Sequence, residues 1–178
     1  MSGIAGIYHS DGRPVDSSLL YRMIDCVPHR GTDGVHVYNK GSVGLAHRQL
    51  CSTEESLREV QPTSNSARSC WITLDGRIDN RADLINLLDA DEGLTDVDLL
   101  LRAYEKWGVD CLVHLLGDFA FALWDSSRQL LFCGRDHYGI RPFYYCHSGP
   151  AFFFGSEVRQ ILQNSDLTVQ INEDAVAE

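Results

Sequence analysis

The stretch from Asp118 to Trp124 reads DFAFALW and is the feature that most restricts the fold. Its side chains are almost all apolar rather than alternating with polar ones, so both faces of the predicted strand must be covered. Further strands are predicted at Leu130 to Gly134, Phe143 to Cys146 and Ala151 to Phe154, with short polar or glycine-containing turns between them. Strands joined by short turns and only partly interleaved with helices favour antiparallel sheets packed under helices, which is an α+β architecture.

The N-terminal half supplies further predicted strands. Gly3 to Tyr8 reads as a buried, internal strand, and a hairpin is predicted from Val35 to Asn39 and Ser42 to Leu50. Trp71 to Leu74 is predicted as a strand that ends at the turn residues Asp75-Gly76.

Helices are predicted where a capping residue precedes apolar residues at helical spacing. The candidate caps are Asp16, Ser17 or Ser18 for the first helix, Asn80 for the second and Thr95 for the third. Pro28 would end the first helix, and the second would run through Leu88. Residues 51 to 69 are polar and predict a long surface loop.

The charge balance argues against nucleic acid as a partner. The 178 residues carry a formal net charge of −10 and include no basic run to meet a phosphate backbone. No stretch approaches the ~20 apolar residues of a membrane span. Because no export signal is visible either, we expect a cytoplasmic protein that binds neither membrane nor nucleic acid.

The cysteines predict neither a metal site nor a disulfide framework, because they are widely spaced and form no C-x-x-C pair. We expect reduced, packed thiols and no bound metal. The cysteines are Cys26, Cys51, Cys70, Cys111, Cys133 and Cys146.

Ser2 is the first candidate catalytic residue. It stands between Met1 and Gly3, so removal of Met1 would leave the Ser2 hydroxyl beside a free α-amine. That is the layout of an N-terminal nucleophile, in which the α-amine acts as the base for the first side chain. A serine hydroxyl depends wholly on such a base, whereas a small fraction of a cysteine thiol is already thiolate at neutral pH.

Six motifs, in their order and spacing, resemble the N-terminal glutamine-hydrolysing domain of asparagine synthetase-type amidotransferases. They are MSGIAGIY, HRGTDG, LAHRQL, LDGRIDN, GDFAFALWD and GRDHYGIRPFYY. The resemblance implies a four-layer α-β-β-α sandwich of mainly antiparallel sheets, of the N-terminal nucleophile hydrolase type, which agrees with the α+β prediction. It also implies a C-terminal synthetase domain that uses ATP and magnesium and receives ammonia from glutamine, while no cofactor is expected in this chain itself.

The last residues predict the start of another helix, because Asn172 can cap a first turn that contains Glu173 and Asp174. We therefore expect a glutamine amidotransferase-like domain over residues 1–170. Residues 171–178 would be the lead into the synthetase domain, which is the expected partner; a homodimer is left open.

The resemblance assigns roles to pocket positions, and this chain departs from the family pattern at several of them. The family has Cys at the position of Ser2, and it has Arg at the position of Gln49 to hold the glutamine carboxylate with two hydrogen bonds. Arg48 is adjacent to Gln49 but does not obviously substitute, because neighbours on a strand face opposite ways.

The motif LDGRIDN contains two further departures. Asp75 and Gly76 stand where the family has Asn and Gly as oxyanion donors; an ionised Asp75 only accepts, and losing one such donor costs about 2.7 to 4 kcal/mol. Arg77 replaces the Glu that accepts the substrate ammonium, whereas Asp96 keeps the expected carboxylate for it. Because Asp75 and Arg77 are two apart in an extended segment, we expect Arg77 to pair with Asp75 or Asp96 as a built-in counter-ion.

Three functions stay open at this point. In the first, the domain is a relic that is impaired in glutamine hydrolysis and stands at the N-terminus of an ATP-dependent amide-forming enzyme, which resembles β-lactam synthetase or a lasso-peptide cyclase. In the second, it is a working amidotransferase domain with a rearranged pocket that binds glutamine or a related small molecule. The third is a serine amidase that uses Ser2 on a substrate other than glutamine.

Overall fold

The computed structural model describes residues 1–53, 56–168 and 170. Within these ranges the chain forms nine strands in two sheets, and four α-helices. Every adjacent pair of these strands is antiparallel. The helix predicted to start at 171–178 lies outside the described residues, so the division of the chain into two domains stays a prediction.

The elements, in chain order, agree with the predicted pattern except for a two-residue strand at Thr63–Ser64 and a short helix at Val158–Ile161, which the sequence did not predict. The strands are β1 (Gly3–His9), β2 (Gly34–Lys40), β3 (Val43–Gln49), β4 (Thr63–Ser64), β5 (Cys70–Ile78), β6 (Gly117–Asp125), β7 (Leu130–Arg135), β8 (Tyr144–Ser148) and β9 (Ala151–Gly155). The α-helices are α1 (Ser17–Asp25), α2 (Arg81–Leu88), α3 (Asp96–Trp107) and α4 (Val158–Ile161), and 3₁₀ turns span Pro28–Arg30 and Gly108–His114.

The first sheet has the order β2-β3-β1-β9-β8, and the second has the order β4-β5-β6-β7. β1 therefore lies in the centre of its sheet, hydrogen-bonded to β3 on one side and to β9 on the other, as predicted for an internal strand.

The apolar side chains form three clusters that define four layers. α1 packs Leu20 and Met23 against Ile7 on the outer face of the first sheet. α2 and α3 cover the outer face of the second sheet, where Leu84 and Leu100 belong to one cluster with residues of β5 and β6. The third cluster lies between the two sheets and includes Ile4, Leu45, Ala120, Ala122, Trp124 and Phe154.

This arrangement is the predicted α-β-β-α sandwich. The sequence DFAFALW is apolar at consecutive positions because β6 is covered on both faces: Phe119 and Phe121 pack under the helices, and Ala120 and Ala122 face the other sheet.

The predicted end of the fifth strand at Asp75-Gly76 is wrong. β5 continues to Ile78 and stays paired with β6 as far as Gly117. Gly76 does not turn the chain; it has a φ of +159° and lies so close to β6 that a Cβ there would collide with the backbone carbonyl of Asp118. The glycine therefore permits close strand packing beside the pocket.

The predicted cap Asn80 has a different role. Its side chain accepts a hydrogen bond from Leu116 N at 2.9 Å and donates one to His114 O at 2.9 Å. Asn80 therefore joins the start of α2 to the segment between the second 3₁₀ turn and β6, and its side chain does not cap α2. The predicted surface loop 51 to 69 is also partly structured, because it contains β4 and the buried Gln61.

All six cysteines are free thiols. In the described part of the chain, no helix is long and apolar enough to cross a bilayer. The cytoplasmic location stays a prediction.

Candidate active site

The alternation of side chains along the strands places a site at one end of the space between the sheets. His47 on β3 faces the second sheet, where its Nδ1 lies 3.0 Å from the Thr73 hydroxyl of β5. Gln49 and Asp75 are each two residues further along their strands and therefore project on the same sides toward each other. Ser2 immediately precedes β1 and lies beside Gln49's strand end.

A pocket of about 490 Å³ opens here. All six residues selected from the sequence line it: Ser2, Gln49, Asp75, Gly76, Arg77 and Asp96. Other polar lining residues were not selected: His47, Glu59, Gln61, Arg81 and Arg141 are among them.

Ser2 is held at the pocket by its backbone and side chain. The Ser2 carbonyl oxygen accepts a hydrogen bond from Arg30 Nη1 at 3.3 Å, and the Ser2 hydroxyl oxygen accepts one from the backbone N–H of Leu50 at 3.1 Å. Because the Leu50 N–H is a hydrogen-bond donor, it cannot act as the base that removes the proton of the Ser2 hydroxyl.

Asp75 is 2% exposed and lies between two arginines. Its Oδ2 is 3.6 Å from Arg30 Nη1 and its Oδ1 is 3.5 Å from Arg141 Nη1. Burial raises the pKa of the Asp75 carboxyl, while the guanidinium groups of Arg141 and Arg30 act in the opposite direction. The backbone of Ser2 also favours the ionised form, so the carboxyl lies beside the nucleophile position.

Gln49 does not point an unused donor into the pocket. Its Nε2 donates to the backbone carbonyls of Ser56 at 2.9 Å and Glu59 at 2.5 Å, so the amide fixes the segment that forms one wall. Arg48 faces away, as predicted, and bonds to Ile24 O at 3.0 Å and Asp25 Oδ1 at 2.7 Å.

The predicted pairing of Arg77 with Asp75 or Asp96 is wrong. Arg77 Nε lies 2.9 Å from Asp79 Oδ1, and its side chain is 65% exposed at the rim of the pocket. Asp75 is already enclosed by Arg30 and Arg141, which come from other segments.

Asp96 has partners of its own. Its Oδ1 pairs with Arg81, and its Oδ2 accepts a hydrogen bond from Ile78 N at 2.9 Å. The carboxylate predicted to receive an ammonium therefore also joins the start of α3 to the end of β5. Thr95 caps α3 as predicted, with a reciprocal bond to Asp98.

Glu59 adds a second partly buried carboxyl to the pocket. Burial raises its pKa to about 7, and the charges of Asp96 and Asp98 act in the same direction. Hydrogen bonds from the Gln61 amide and from the Thr95 hydroxyl act against this shift. Gln61 in turn is fixed by Leu74, whose N–H it accepts at 2.6 Å.

Three of the missed residues had a signal in the sequence, and one of them, His47, belongs to the motif LAHRQL. Arg30 and Arg141 belong to the motifs HRGTDG and GRDHYGIRPFYY, which were used for the resemblance without a role for their arginines. Glu59 had no comparable signal, because it lies in a polar segment with no periodicity.

Comparison with known proteins identifies the family. A sequence model described as a glutamine amidotransferase domain matches residues 1–178. The chain belongs to the glutamine amidotransferase domain family. This membership agrees with the six motifs and with the sandwich fold.

Relatives of the amidotransferase domain are longer proteins. The chain is 35% identical to glutamine-hydrolysing asparagine synthetase 3 of Bacillus subtilis, with 92% of the chain and 27% of that protein covered. It is 30% identical to amidase chyE of Penicillium rubens, with 80% of the chain and 22% of that protein covered. The chain thus spans about a quarter of the length of these relatives.

A solved structure agrees with the fold. Glutamine phosphoribosylpyrophosphate amidotransferase from B. subtilis superposes with a TM-score of 0.70 at 17% identity, covering 89% of this chain and 42% of that one. At this identity the likeness concerns the fold alone.

Proposed function

We propose that this chain is the glutaminase-type domain of an asparagine synthetase-like, ATP-dependent amide-forming enzyme, and that its glutamine hydrolysis is impaired. The family membership and the length of the relatives support a C-terminal synthetase domain as its partner. In this proposal the amine that enters the amide bond does not come from glutamine in this pocket.

ATP and magnesium would belong to the synthetase domain. The pocket described above does not fit a nucleotide triphosphate, because its arginines already pair with carboxylates: Arg141 with Asp75, Arg81 with Asp96, and Arg77 with Asp79. We therefore assign the residues of this pocket no role in binding ATP.

The observation that carries the impaired activity is the Asp75 carboxyl beside Ser2. An amide attacked at Ser2 develops negative charge on its oxygen, and a donor at that point contributes about 2.7 to 4 kcal/mol to the transition state. An ionised carboxyl offers no donor and repels the developing charge. Burial raises the pKa of the Asp75 carboxyl, and the guanidinium groups of Arg141 and Arg30 oppose this shift and favour the ionised form.

Gln49 and Ser2 add to the same effect. The Gln49 amide is bound to the backbone of residues 56 and 59, so the position of the family's carboxylate clamp is used to hold the pocket wall. A serine nucleophile adds the further demand for a base, which a thiol needs less.

The test is glutamate and ammonia release from glutamine by the parent protein, by Ser2→Cys, and by the variant Ser2→Cys, Gln49→Arg, Asp75→Asn, Arg77→Glu. We expect negligible turnover by the first two and measurable turnover only by the quadruple variant, because groups that act as a unit have strongly non-additive effects. The matched control is the triple variant that keeps Asp75; it should be as inactive as Ser2→Cys.

Efficient turnover by the parent or by Ser2→Cys alone would contradict the proposed impairment and support a working amidotransferase with a rearranged pocket. Circular dichroism of each variant separates loss of activity from loss of folding.

A serine amidase is the second candidate. The similarity to a protein named as an amidase and the position of Ser2 at the pocket favour it. It predicts that the parent releases ammonia from a non-glutamine carboxamide and that Ser2→Ala abolishes this release; no release from a panel of carboxamides would reject it.

A further inference from the structure

Two buried polar atoms of the pocket have no hydrogen-bond partner among the described residues. They are Oδ2 of Asp75 and Nε of Arg141, and both residues line the pocket together with Ser2. Asp75 is only 2% exposed. Buried polar groups are nearly always hydrogen-bonded, because an unmet donor or acceptor costs free energy. The two atoms together therefore select a ligand group that offers one donor and one acceptor side by side.

The ion pairs of Asp75 are long. Its Oδ1 lies 3.5 Å from Arg141 Nη1, and its Oδ2 lies 3.6 Å from Arg30 Nη1. Hydrogen bonds between opposite charges are shorter, at about 2.7 to 2.9 Å. Arg30 forms a contact of that length with Glu157, at 2.7 Å, whereas Arg141 contacts no other carboxylate among the described residues. Arg141 is therefore a cation of the pocket with a donor that a ligand can use.

The groups on the other side of the pocket are bound to the protein itself. Gln49 Nε2 donates to two backbone carbonyls of the loop, at 2.9 and 2.5 Å. Asp96 pairs with Arg81 through Oδ1 and accepts a hydrogen bond from Ile78 N through Oδ2. The two positions that the family resemblance assigned to the carboxylate and the ammonium of the ligand are therefore taken up by contacts within the chain.

We propose that the pocket binds the backbone end of a free α-amino acid beside Ser2, with the ligand carboxylate on Arg141 and the ligand ammonium on Asp75. A carboxylate offers only acceptors and an ammonium only donors, so the two groups match the two unpartnered atoms. Each contact joins opposite charges, and hydrogen bonds between charged groups are roughly twice as strong as neutral ones.

The charges near the two atoms also favour a zwitterion. Glu157 compensates Arg30, so Asp75 and Arg141 form one local pair of opposite charges. The α-amine of the chain is a further positive charge near Asp75, and it adds to the attraction for a ligand carboxylate. A carboxamide offers the same donor and acceptor without charge, so it lacks the Coulomb attraction to two buried groups.

The inference rests on the proposed loss of glutamine hydrolysis and gives that loss a second cause. The family resemblance places the side-chain amide of glutamine at residue 2 and its carboxylate at residue 49. In the proposed complex the backbone end of the ligand lies at Ser2, and the side chain extends toward the opposite side of the pocket. Glutamine would then bind with its amide away from the Ser2 hydroxyl and stay intact.

The experiment is a ligand-observed saturation-transfer NMR titration of the purified protein at pH 7.0 with ligands of equal chain length. L-norvaline carries both charges, pentanoate only the carboxylate, L-norvalinamide an ammonium without a carboxylate, and pentanamide no charge. We expect saturable binding of L-norvaline and at least about tenfold weaker binding of each of the others, because each lacks one or both ion pairs. L-glutamine should bind as L-norvaline does.

Arg141→Gln should weaken the binding of L-norvaline about tenfold or more and leave that of L-norvalinamide unchanged, because only the first ligand has a carboxylate for Arg141. A merely structural role of Arg141 would weaken both ligands alike. The matched control is Arg128→Gln, the same change at an arginine that pairs with Asp125 and does not line the pocket. It should bind L-norvaline as the parent does.

No saturable L-norvaline binding by the parent, equally tight binding of any of the other three test ligands, or an unchanged dissociation constant in Arg141→Gln would each overturn the inference. If Arg141→Gln does not fold, the comparison of ligands on the parent still decides. The two proposals fail separately: glutamine turnover by the parent contradicts the impaired activity, whereas absent L-norvaline binding without turnover contradicts only the role of Asp75 and Arg141 in holding a ligand.

Discussion

Asp75 and Glu59 are both pocket carboxyls whose pKa is raised by burial, but the chain compensates them differently. Asp75 stands on a central strand between two arginines, one from the 3₁₀ turn after α1 and one from the connection before β8. Glu59 stands on the segment between β3 and β4 and meets neutral hydrogen-bond donors.

The two carboxyls show how the wall formed by β5 and the wall formed by the segment between β3 and β4 differ in charge compensation. Burying a carboxylate costs several kcal/mol unless cations and donors surround it. At Asp75 the fold supplies both cations, so the charge is part of the structure and of the proposed block to glutamine hydrolysis. At Glu59 the fold supplies no cation among the described residues, so burial raises the pKa of the carboxyl to about 7.

The largest expected effect is on stability, from Asp75→Ala. The substitution leaves the buried guanidinium group of Arg141 without a carboxylate, whereas Arg30 keeps Glu157, and it should destabilise the protein by about 3 kcal/mol. Urea unfolding followed by circular dichroism measures this change. The control is Asp79→Ala, which breaks an exposed pair with Arg77 and should cost less than about 1 kcal/mol. A decrease of less than about 1 kcal/mol in the free energy of unfolding of Asp75→Ala would mean that the arginines do not compensate the Asp75 charge, and Asp75 would then not differ from Glu59.

The second prediction concerns the pH dependence of stability and sharpens the other side of the comparison. The pKa of Glu59 is about 7 in the folded protein against an ordinary value of 4.5, so the folded state binds the extra proton between these values. The parent should therefore lose stability as the pH rises from 5 to 8, by about 1 to 3 kcal/mol relative to Glu59→Gln, a range that allows for partial solvent screening.

Unfolding of both proteins at pH 5 and pH 8 measures this difference. The titration of His47 has the opposite sign, because its lowered pKa destabilises the folded state as the pH falls below 6.5, but it is shared by both proteins and cancels. Parallel stability curves for parent and variant would mean that Glu59 is not the uncompensated carboxyl.

The smallest expected effect is that of Arg77→Ala. Its ion pair with Asp79 is exposed on both sides, so the substitution should change the free energy of unfolding by less than about 0.5 kcal/mol. The pH dependence contributed by Asp75 and Glu59 should also stay as in the parent. A decrease in the free energy of unfolding of more than about 2 kcal/mol would support the predicted pairing of Arg77 with a buried carboxylate.

The comparison also separates what could be predicted from what could not. The motifs were sufficient to select the six residues around the pocket, because the resemblance to the amidotransferase family assigned a role to each of these positions. The partner of Asp75 was predicted wrongly, since the nearest arginine in sequence was chosen. Its actual partners are 45 and 66 positions away in the numbering, at Arg30 and Arg141.

The sequence by itself determined the two-sided burial of β6, the central position of β1, the helix cap at Thr95, and the identity of the groups at the family's site positions. Each of these depends on periodicity, on a cap within a few residues, or on a motif. The sequence left Asp16, Ser17 and Ser18 open as caps of α1, and the structure selects Asp16. Only the tertiary structure decided that β5 runs through Gly76, that Gln49 is bound by the loop, and that Asp75 has two cations while Glu59 has none among the described residues. The physical reason is that burial and charge pairing depend on which distant segments the packed sheets bring together, and the local sequence does not contain those distances.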